Sequence, residues 1–248
     1  FTVFKIIFRN DFIQKEQKAI LLFSSIPLLL TFLFVALFRP TLPHWTGPAY
    51  LALMLIASVY LGHHYSKRVH WMVKSAVALV LVLVLLALGE INMGAFKTNR
   101  LSSNDITLDM FGWKQLGEKI KPLFAKDKAL GIMPEEAPIL SWRWFPAAHL
   151  DYYVAKPNSK VVKAIGSIER IHKYAWMNKT RGGFPLGMDA YFITLSNDFE
   201  DPNKNIAKYF ESIQAPDTLE IERGGELVKE AYVYRLKNLI RIPVNELD

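Results

Sequence analysis

Cysteine is absent from this chain of 248 residues. Its absence excludes disulfide bonds, thiolate catalysis and zinc sites built on cysteine. The motifs of several common soluble enzymes are absent as well: the sequence has no G-x-S-x-G, no P-loop, no G-x-G-x-x-G and no H-E-x-x-H. The sequence therefore gives no indication of a nucleotide-binding enzyme, a serine hydrolase of the elbow type or a zinc protease.

Charged residues are scarce in three long stretches of the first 96 residues. Residues 19–38 contain none, and neither do Pro48–Gly62 and Ser75–Gly89. Twenty helical residues rise about 30 Å, which is the thickness of a hydrocarbon core. The two shorter stretches are expected to extend into flanking residues such as Trp45 and Trp71 at the headgroup level. The prediction is a membrane region over residues 1–96, with spans near 19–38, 46–62 and 74–94.

Positive charge is concentrated in the same part of the chain. Residues 1–96 contain eight Lys and Arg against three Asp and Glu, whereas residues 97–248 contain 22 against 20. Seven of the eight basic residues lie before the first span or between the second and third: Lys5, Arg9, Lys15, Lys18, Lys67, Arg68 and Lys74. By the positive-inside rule these two segments are cytoplasmic, so the Arg39–Gly47 loop and residues 97–248 are predicted to be extracytoplasmic.

Residues 97–248 have the alternating pattern of a soluble α/β domain, in which helices pack on a small sheet. Helices are predicted at Gly112–Phe124, Pro146–Tyr153, Ile168–Met177 and Pro202–Ile213. A short apolar run covers Ala137–Trp142 after a Pro-Glu-Glu turn. Strands are predicted at Val161–Ile165 and Asp189–Leu195, followed by a hairpin formed by Thr218–Glu222 and Leu227–Leu236. The predicted fold class is a membrane α-helical region joined to a C-terminal α/β domain.

The predicted outer loop between the first two spans contains a cation, an imidazole and an indole. Arg39 could pair with a phosphate, His44 could donate a hydrogen bond, and Trp45 could stack on a sugar or a prenyl chain. Glu90, at the end of the third span, could add a polar group to the same site. The alternative is that the loop and Glu90 only anchor the spans at the membrane surface.

In the soluble part, Trp142, Arg143 and Trp144 form the most plausible ligand-binding cluster. A guanidinium between two indoles would suit an acceptor glycan or a phosphate. The alternative is that these aromatic side chains pack at the edge of the core.

Four segments resemble, in the same order, motifs of the bacterial membrane glycosyltransferases of family 39. HWTGPAY at His44–Tyr50 resembles the family's H/N-W-P-x-x-A-Y, with Thr46 in place of its usual proline. DMFGWKQL at Asp109–Leu116 resembles D-x-x-G-W-x-x-L, and GMDAYFIT at Gly187–Thr194 resembles a G-x-D-A-hydrophobic strand. SWRWFPAA at Ser141–Ala148, followed by Tyr152-Tyr153, resembles the segment that ends in an aromatic-Tyr pair.

This resemblance implies the last three spans of a GT-C enzyme of the bacterial inner (plasma) membrane, with its C-terminal domain in the periplasm. Such an enzyme transfers a sugar from a polyprenyl-phosphate donor to a glycan, lipid or protein acceptor. Arg39, His44, Trp45 and Glu90 would bind the donor phosphate, and Trp142, Arg143 and Trp144 would bind the acceptor. The family's acidic residues lie in its first outer loop, so the catalytic residues are expected upstream of this chain. No cofactor is expected in this part, although the complete enzyme could use a divalent metal.

Two other classes of protein remain open from the sequence. A membrane-anchored protein without enzymatic activity could bind a partner or an envelope glycan through its outer domain. A transporter fragment would carry charged or glycine-broken centres in its spans. The spans here have neither, apart from Pro27, which disfavours transport.

Overall fold

The computed structural model describes residues 12–39, 43–94 and 105–243. The chain divides into two compact units, Phe1–Val84 and Leu85–Asp248. Among the described residues, three helices are long and apolar enough to cross a membrane, at Lys15–Ala36, His44–His63 and Lys67–Met93. The prediction of three apolar helices followed by an α/β domain is therefore confirmed at this level.

The first unit contains a pair of apolar helices that pack against each other. Helix α1 is Lys15–Ala36, and α2 is Gly47–His63, preceded by the 3₁₀ turn Pro43–Thr46. Small side chains permit the close packing, since Ser25 and Ala49 are fully buried. The hydroxyls within these helices donate to the carbonyl one turn earlier, as at Ser24, Ser25, Thr31 and Ser58. These polar groups are thus satisfied inside their own helix.

Helix α3 spans Lys67–Met93, and the boundary between the two units falls within it. The second unit then continues with helices α4 (Trp113–Lys119), α5 (Lys121–Ala129), α6 (Trp144–His149), α7 (Ile168–Ile171), α8 (Tyr174–Thr180) and α9 (Pro202–Asn205). Its strands are β1 (Ile139–Ser141), β2 (Val162–Ala164), β3 (Ala190–Leu195), β4 (Phe210–Ile213), β5 (Asp217–Arg223) and β6 (Glu226–Leu239).

The six strands form one mixed sheet in the order β2-β1-β3-β6-β4, with β5 also paired to β6. β1 is parallel to both β2 and β3, whereas β6 is antiparallel to β3, β4 and β5. Strand β3 is buried along its whole length because both sides of the sheet are covered. One core contains Leu116, Leu150 and Ile193, and the other contains Leu140, Phe192 and Leu236.

Four predicted elements differ from the observed ones. The helix predicted at Gly112–Phe124 is divided at Ile120 into α4 and α5. The helix predicted at Ile168–Met177 is broken into α7 and α8 at His172, whose φ is +48°. The helix predicted at Pro146–Tyr153 begins at Trp144 and continues as the π-helix Leu150–Ala155. The prediction of one helix over Pro202–Ile213 is wrong beyond its first turns, because β4 pairs with the end of β6.

The β5–β6 hairpin contacts the end of α3 through one buried side chain, Arg223. This guanidinium donates to Asp105 Oδ2 at 2.7 Å, to Thr107 Oγ1 at 2.8 Å and to the carbonyl of Ile91 at 3.4 Å. Burial opposes ionisation of the Asp105 carboxyl, but the hydrogen bonds from Thr107 and the ion pair with Arg223 together outweigh it and lower the pKa of this group. The hairpin is therefore bound to the residues on both sides of the segment 95–104.

Candidate functional site

The candidate site lies at the carboxyl ends of β1 and β3. The chain leaves β1 towards β2 and leaves β3 towards β4, on opposite sides of this strand pair. In open α/β sheets, such a reversal opens a crevice in which ligands bind. Trp142 and Arg143 follow β1 directly, and Asn197 and Asp198 follow β3. The sequence cluster predicted to bind an acceptor thus begins at the position where this fold places ligands.

Two guanidinium groups lie over the Trp142 ring. The Arg143 guanidinium is 4.1 Å from the centre of the Trp142 ring, and that of Arg170 is 5.5 Å from it. This arrangement is the reverse of the expected guanidinium between two indoles. Trp144 points elsewhere, since its ring contacts Phe145 at 5.7 Å and His172 at 5.4 Å. The structure therefore brings together Trp142 and Arg143 and separates them from Trp144.

Polar side chains from three segments are linked around Arg143. Arg143 forms an ion pair with Asp198, and Asn197 Nδ2 donates to Asp109 Oδ1 at 2.9 Å. Two buried polar atoms at this edge have no partner among the described residues, Arg143 Nε and Asn197 Oδ1. Buried polar atoms in native proteins are almost always paired. The cavity at this edge is about 10 Å³, so its free space suits a single water.

An aromatic stack packs next to this edge of the sheet. The Trp113 ring is parallel to the His149 ring at 4.7 Å, and His149 is in turn stacked on Tyr153 at 6.0 Å. The pKa of His149 is lowered by burial and by the nearby Lys229 ammonium, although Asp109 opposes the shift. This imidazole is therefore biased towards its neutral form at neutral pH.

Lys229 is fully buried above Trp113, and its ammonium is 5.0 Å from the ring centre. It donates to the Leu108 carbonyl at 2.7 Å. Burial lowers the pKa of Lys229 to about 8, with Arg223 contributing and Asp109 opposing. An unfolded lysine has a pKa of about 10.4. The folded protein therefore loses this proton at a lower pH than the unfolded chain does.

This difference predicts a pH dependence of stability. Below pH 8 the folded state carries the full cost of a buried ammonium, and the cost is relieved as the pH rises from about 8 towards 10. We expect the free energy of unfolding of the wild type to rise relative to Lys229→Met by about 1 kcal/mol per pH unit in this window. Thermal unfolding of the full chain in detergent measures it. The pH profile of stability of the exposed control Lys114→Met should be parallel to that of the wild type. A Lys229→Met profile that is also parallel to the wild type would contradict the lowered pKa of Lys229.

The residues predicted to bind a donor phosphate lie in different parts of the chain. In the first unit, Arg39 is exposed just after α1, and His44 and Trp45 are exposed on the turn before α2. The Trp45 ring is 5.8 Å from Phe32 of α1, so one side of the indole packs on the helix pair. Glu90 lies near the end of α3, in the second unit, and is half-buried.

Several residues in the motifs that carry the family resemblance have structural roles. Gly112 has φ +83°, and a Cβ there would lie 2.4 Å from Ile221, so only glycine fits. The Asp189 carboxylate forms an ion pair with Lys237 and accepts from the Asn238 amide at 2.8 Å. These motifs therefore specify local folding of the second unit.

Sequence reasoning missed several members of the site: Asp109, Arg170, Asn197 and Asp198. Asp198 and Asn197 had an available signal, because polar residues directly after a buried strand lie at the ligand-binding edge of a parallel sheet. Arg170 had none, since its contact with Trp142 joins residues that are far apart in sequence.

No three His, Asp or Glu side chains in the described ranges come together as they would around a metal ion. The expectation about a metal in the complete enzyme stays a prediction. Comparison with known proteins gives no match to a family model, to a curated protein or to a solved structure.

Proposed function

We propose that this chain is part of a membrane glycosyltransferase that takes a sugar from a polyprenyl-phosphate donor and transfers it to an acceptor at the extracytoplasmic surface. The observation that carries the proposal is that Arg39, His44 and Trp45 lie in the connection between two apolar helices, with all three side chains exposed. The motif resemblances over the rest of the chain support it, and so does a cleft lined by Trp142 in the α/β unit.

The chemistry assigns a task to each kind of residue. An acceptor hydroxyl attacks the anomeric carbon, the bond from that carbon to the phosphate oxygen breaks, and its electron pair stays on the phosphate. The hydroxyl proton passes to a carboxylate base, which the family resemblance assigns to a loop outside this chain. Arg39 would stabilise the charge on the departing phosphate, and His44 would donate to one of its oxygens. Trp45 would hold the lipid or sugar by apolar contact.

We expect His44→Ala with Trp45→Ala to lower sugar transfer by the full-length protein at least tenfold, because a charge-assisted hydrogen bond and an apolar contact are both lost. The measurement is transfer of radiolabelled sugar from a polyprenyl-phosphate donor in membranes. His44 is exposed and Trp45 packs only one side of its ring on Phe32, so the protein should still insert and fold, as checked by the amount and thermal midpoint of the purified protein.

The chain provides a matched control in His70 and Trp71, a second exposed His-Trp pair near the start of α3. The positive-inside rule assigns this pair to the cytoplasmic surface, away from the proposed donor site. His70→Ala with Trp71→Ala should leave transfer unchanged. If both double variants transfer sugar as fast as the wild type, the His44–Trp45 turn is only a membrane anchor. That result would favour a binding protein without enzymatic activity.

A further inference from the structure

A second, larger cleft shares Trp142 with the candidate site. Its volume is about 460 Å³, enough for one sugar residue and its substituents. It lies between the turn that follows β2 and the segment from β3 to β4. Trp142, Ile165 and Ile206 contribute to its lining, and the polar part is formed by Ser167, Arg170, Glu200, Asn205, Lys208 and Tyr209.

Two cations in this cleft are left without an acidic partner. Among the described residues, neither Arg170 nor Lys208 has a carboxylate within ion-pair distance. The Arg170 guanidinium is positioned by the Trp142 ring, and the Lys208 ammonium lies 5.0 Å from the centre of the Tyr209 ring. A contact with an aromatic face positions a cation without using its N–H donors. Both groups therefore retain donors for an anion.

Neutral polar groups complete the lining. Ser167 precedes α7, but its hydroxyl makes no capping hydrogen bond. The Glu200 carboxylate accepts from the Asn205 amide, which holds it against the wall but leaves its charge in place. With Arg170 and Lys208 in the same lining, the cleft still has two positive charges against one negative charge. A hydroxyl, an amide and two aromatic rings beside two cations are the groups that recognise a sugar with a negative substituent.

We propose that this cleft binds an anionic saccharide, a sugar that bears a phosphate or a carboxylate group, and that it is the acceptor subsite of the transferase. The assignment of the saccharide as acceptor rests on the proposed function. Arg170 and Lys208 bind the anionic group. Trp142 and the wall formed by Ser167 and Asn205 contact the ring.

The test is a binding titration of the full chain in detergent micelles by calorimetry. The probes are glucose 6-phosphate and glucuronate, which separate a phosphate from a carboxylate, with glucose and inorganic phosphate as partial ligands. Probes are used up to about 10 mM, where a site with a Kd of about 1 mM is mostly filled. The test variant is Arg170→Gln with Lys208→Gln. The control is Lys121→Gln with Lys173→Gln, two exposed lysines outside the cleft lining.

We expect one of the anionic sugars to bind more tightly than glucose and inorganic phosphate, and its affinity to fall at least tenfold in the Arg170–Lys208 variant. The Lys121–Lys173 control should stay within about twofold of the wild type, since only unspecific charge is lost. No binding of either anionic sugar, equal binding of glucose, or an equal loss in both variants would overturn the proposal. Because no sugar transfer is measured, this result is independent of the His44–Trp45 experiment.

Discussion

Replacing Asp127 with Asn is expected to lower the free energy of unfolding of the α/β unit by about 3–5 kcal/mol, because it leaves a buried guanidinium without its buried counter-charge. Asp127 is fully buried. Its two oxygens accept from Arg235 Nε at 2.6 Å and Nη2 at 2.8 Å, and the Tyr191 hydroxyl donates to it at 3.0 Å. Burial and this carboxylate together raise the pKa of Tyr191 well above its usual range. Chemical unfolding of the full chain in detergent, followed by near-ultraviolet circular dichroism, measures the loss.

The second ion pair of Arg235 provides a control for the Asp127 variant. Arg235 Nη1 contacts Asp217 Oδ2 at 2.6 Å, and the Asp217 side chain is 46% exposed. Asp217→Asn should cost at most about 1 kcal/mol, since exposed ion pairs contribute little. Combining Asp127→Asn with Arg235→Met removes both buried charges, and it should destabilise less than the sum of the single changes. If Asp127→Asn lowers the free energy of unfolding no more than Asp217→Asn does, burial does not determine how much the Arg235–Asp127 ion pair contributes to stability.

The second large effect is expected at Gly117, where any side chain meets the main chain of a neighbouring element. A Cβ on Gly117 would lie 2.0 Å from the Tyr153 carbonyl oxygen and 3.0 Å from the carbonyl carbon. Helix α4 thus packs directly on the backbone of the π-helix Leu150–Ala155. The π-helix cannot move away freely, because its residues Leu150 and Val154 are fully buried in the core.

Gly117→Ala should therefore destabilise by about 3 kcal/mol, although alanine is otherwise the better helix former by about 1 kcal/mol. For a unit of this size the midpoint of thermal unfolding should fall by about 6–12 °C. The matched control is Gly62→Ala, a glycine within α2 whose added Cβ would have no neighbour within 4 Å. Its midpoint should be unchanged or slightly raised. An unchanged midpoint for Gly117→Ala would mean that α4 and the π-helix separate at little cost.

Local sequence pattern was enough to predict the elements whose residues fit only one type of secondary structure. The three charge-free stretches lie in helices, and the DAYFITL segment forms the buried strand β3. The β5–β6 hairpin was predicted from its Gly224-Gly225 turn, where both residues have positive φ. Such residues act within a few positions of each other, so their effect is visible in the sequence.

The helix predicted over Pro202–Ile213 is wrong because the apolar residues of this segment have helical spacing, although part of it forms a strand. Ile206, Phe210 and Ile213 recur at helical spacing, yet the last two belong to strand β4. Pairing of β4 with the end of β6 satisfies their backbone groups, and this partner lies more than 20 residues away in the sequence. Long-range pairing therefore overrode the local periodicity.

The candidate site was predictable only in part, for the same reason. Trp142 and Arg143 could be identified because they adjoin in sequence and follow a short apolar run. The contact of Trp142 with Arg170 and that of Arg143 with Asp198 exist only after the parallel strands align their carboxyl ends. The direction of Trp144, away from this pair, is also set by the helix it begins.

The β2 edge of the sheet determines whether concentrated copies of this domain can pair with one another. On the outer side of β2, Asn178 exchanges two hydrogen bonds with the backbone of Ala164, at 3.0 and 2.8 Å, and Arg181 donates to the carbonyl of Val162 at 2.7 Å. The amide side chain thus takes the place of a neighbouring strand. A strand from a second molecule finds these backbone groups already bonded, so copies of this domain cannot extend one another's sheets through β2.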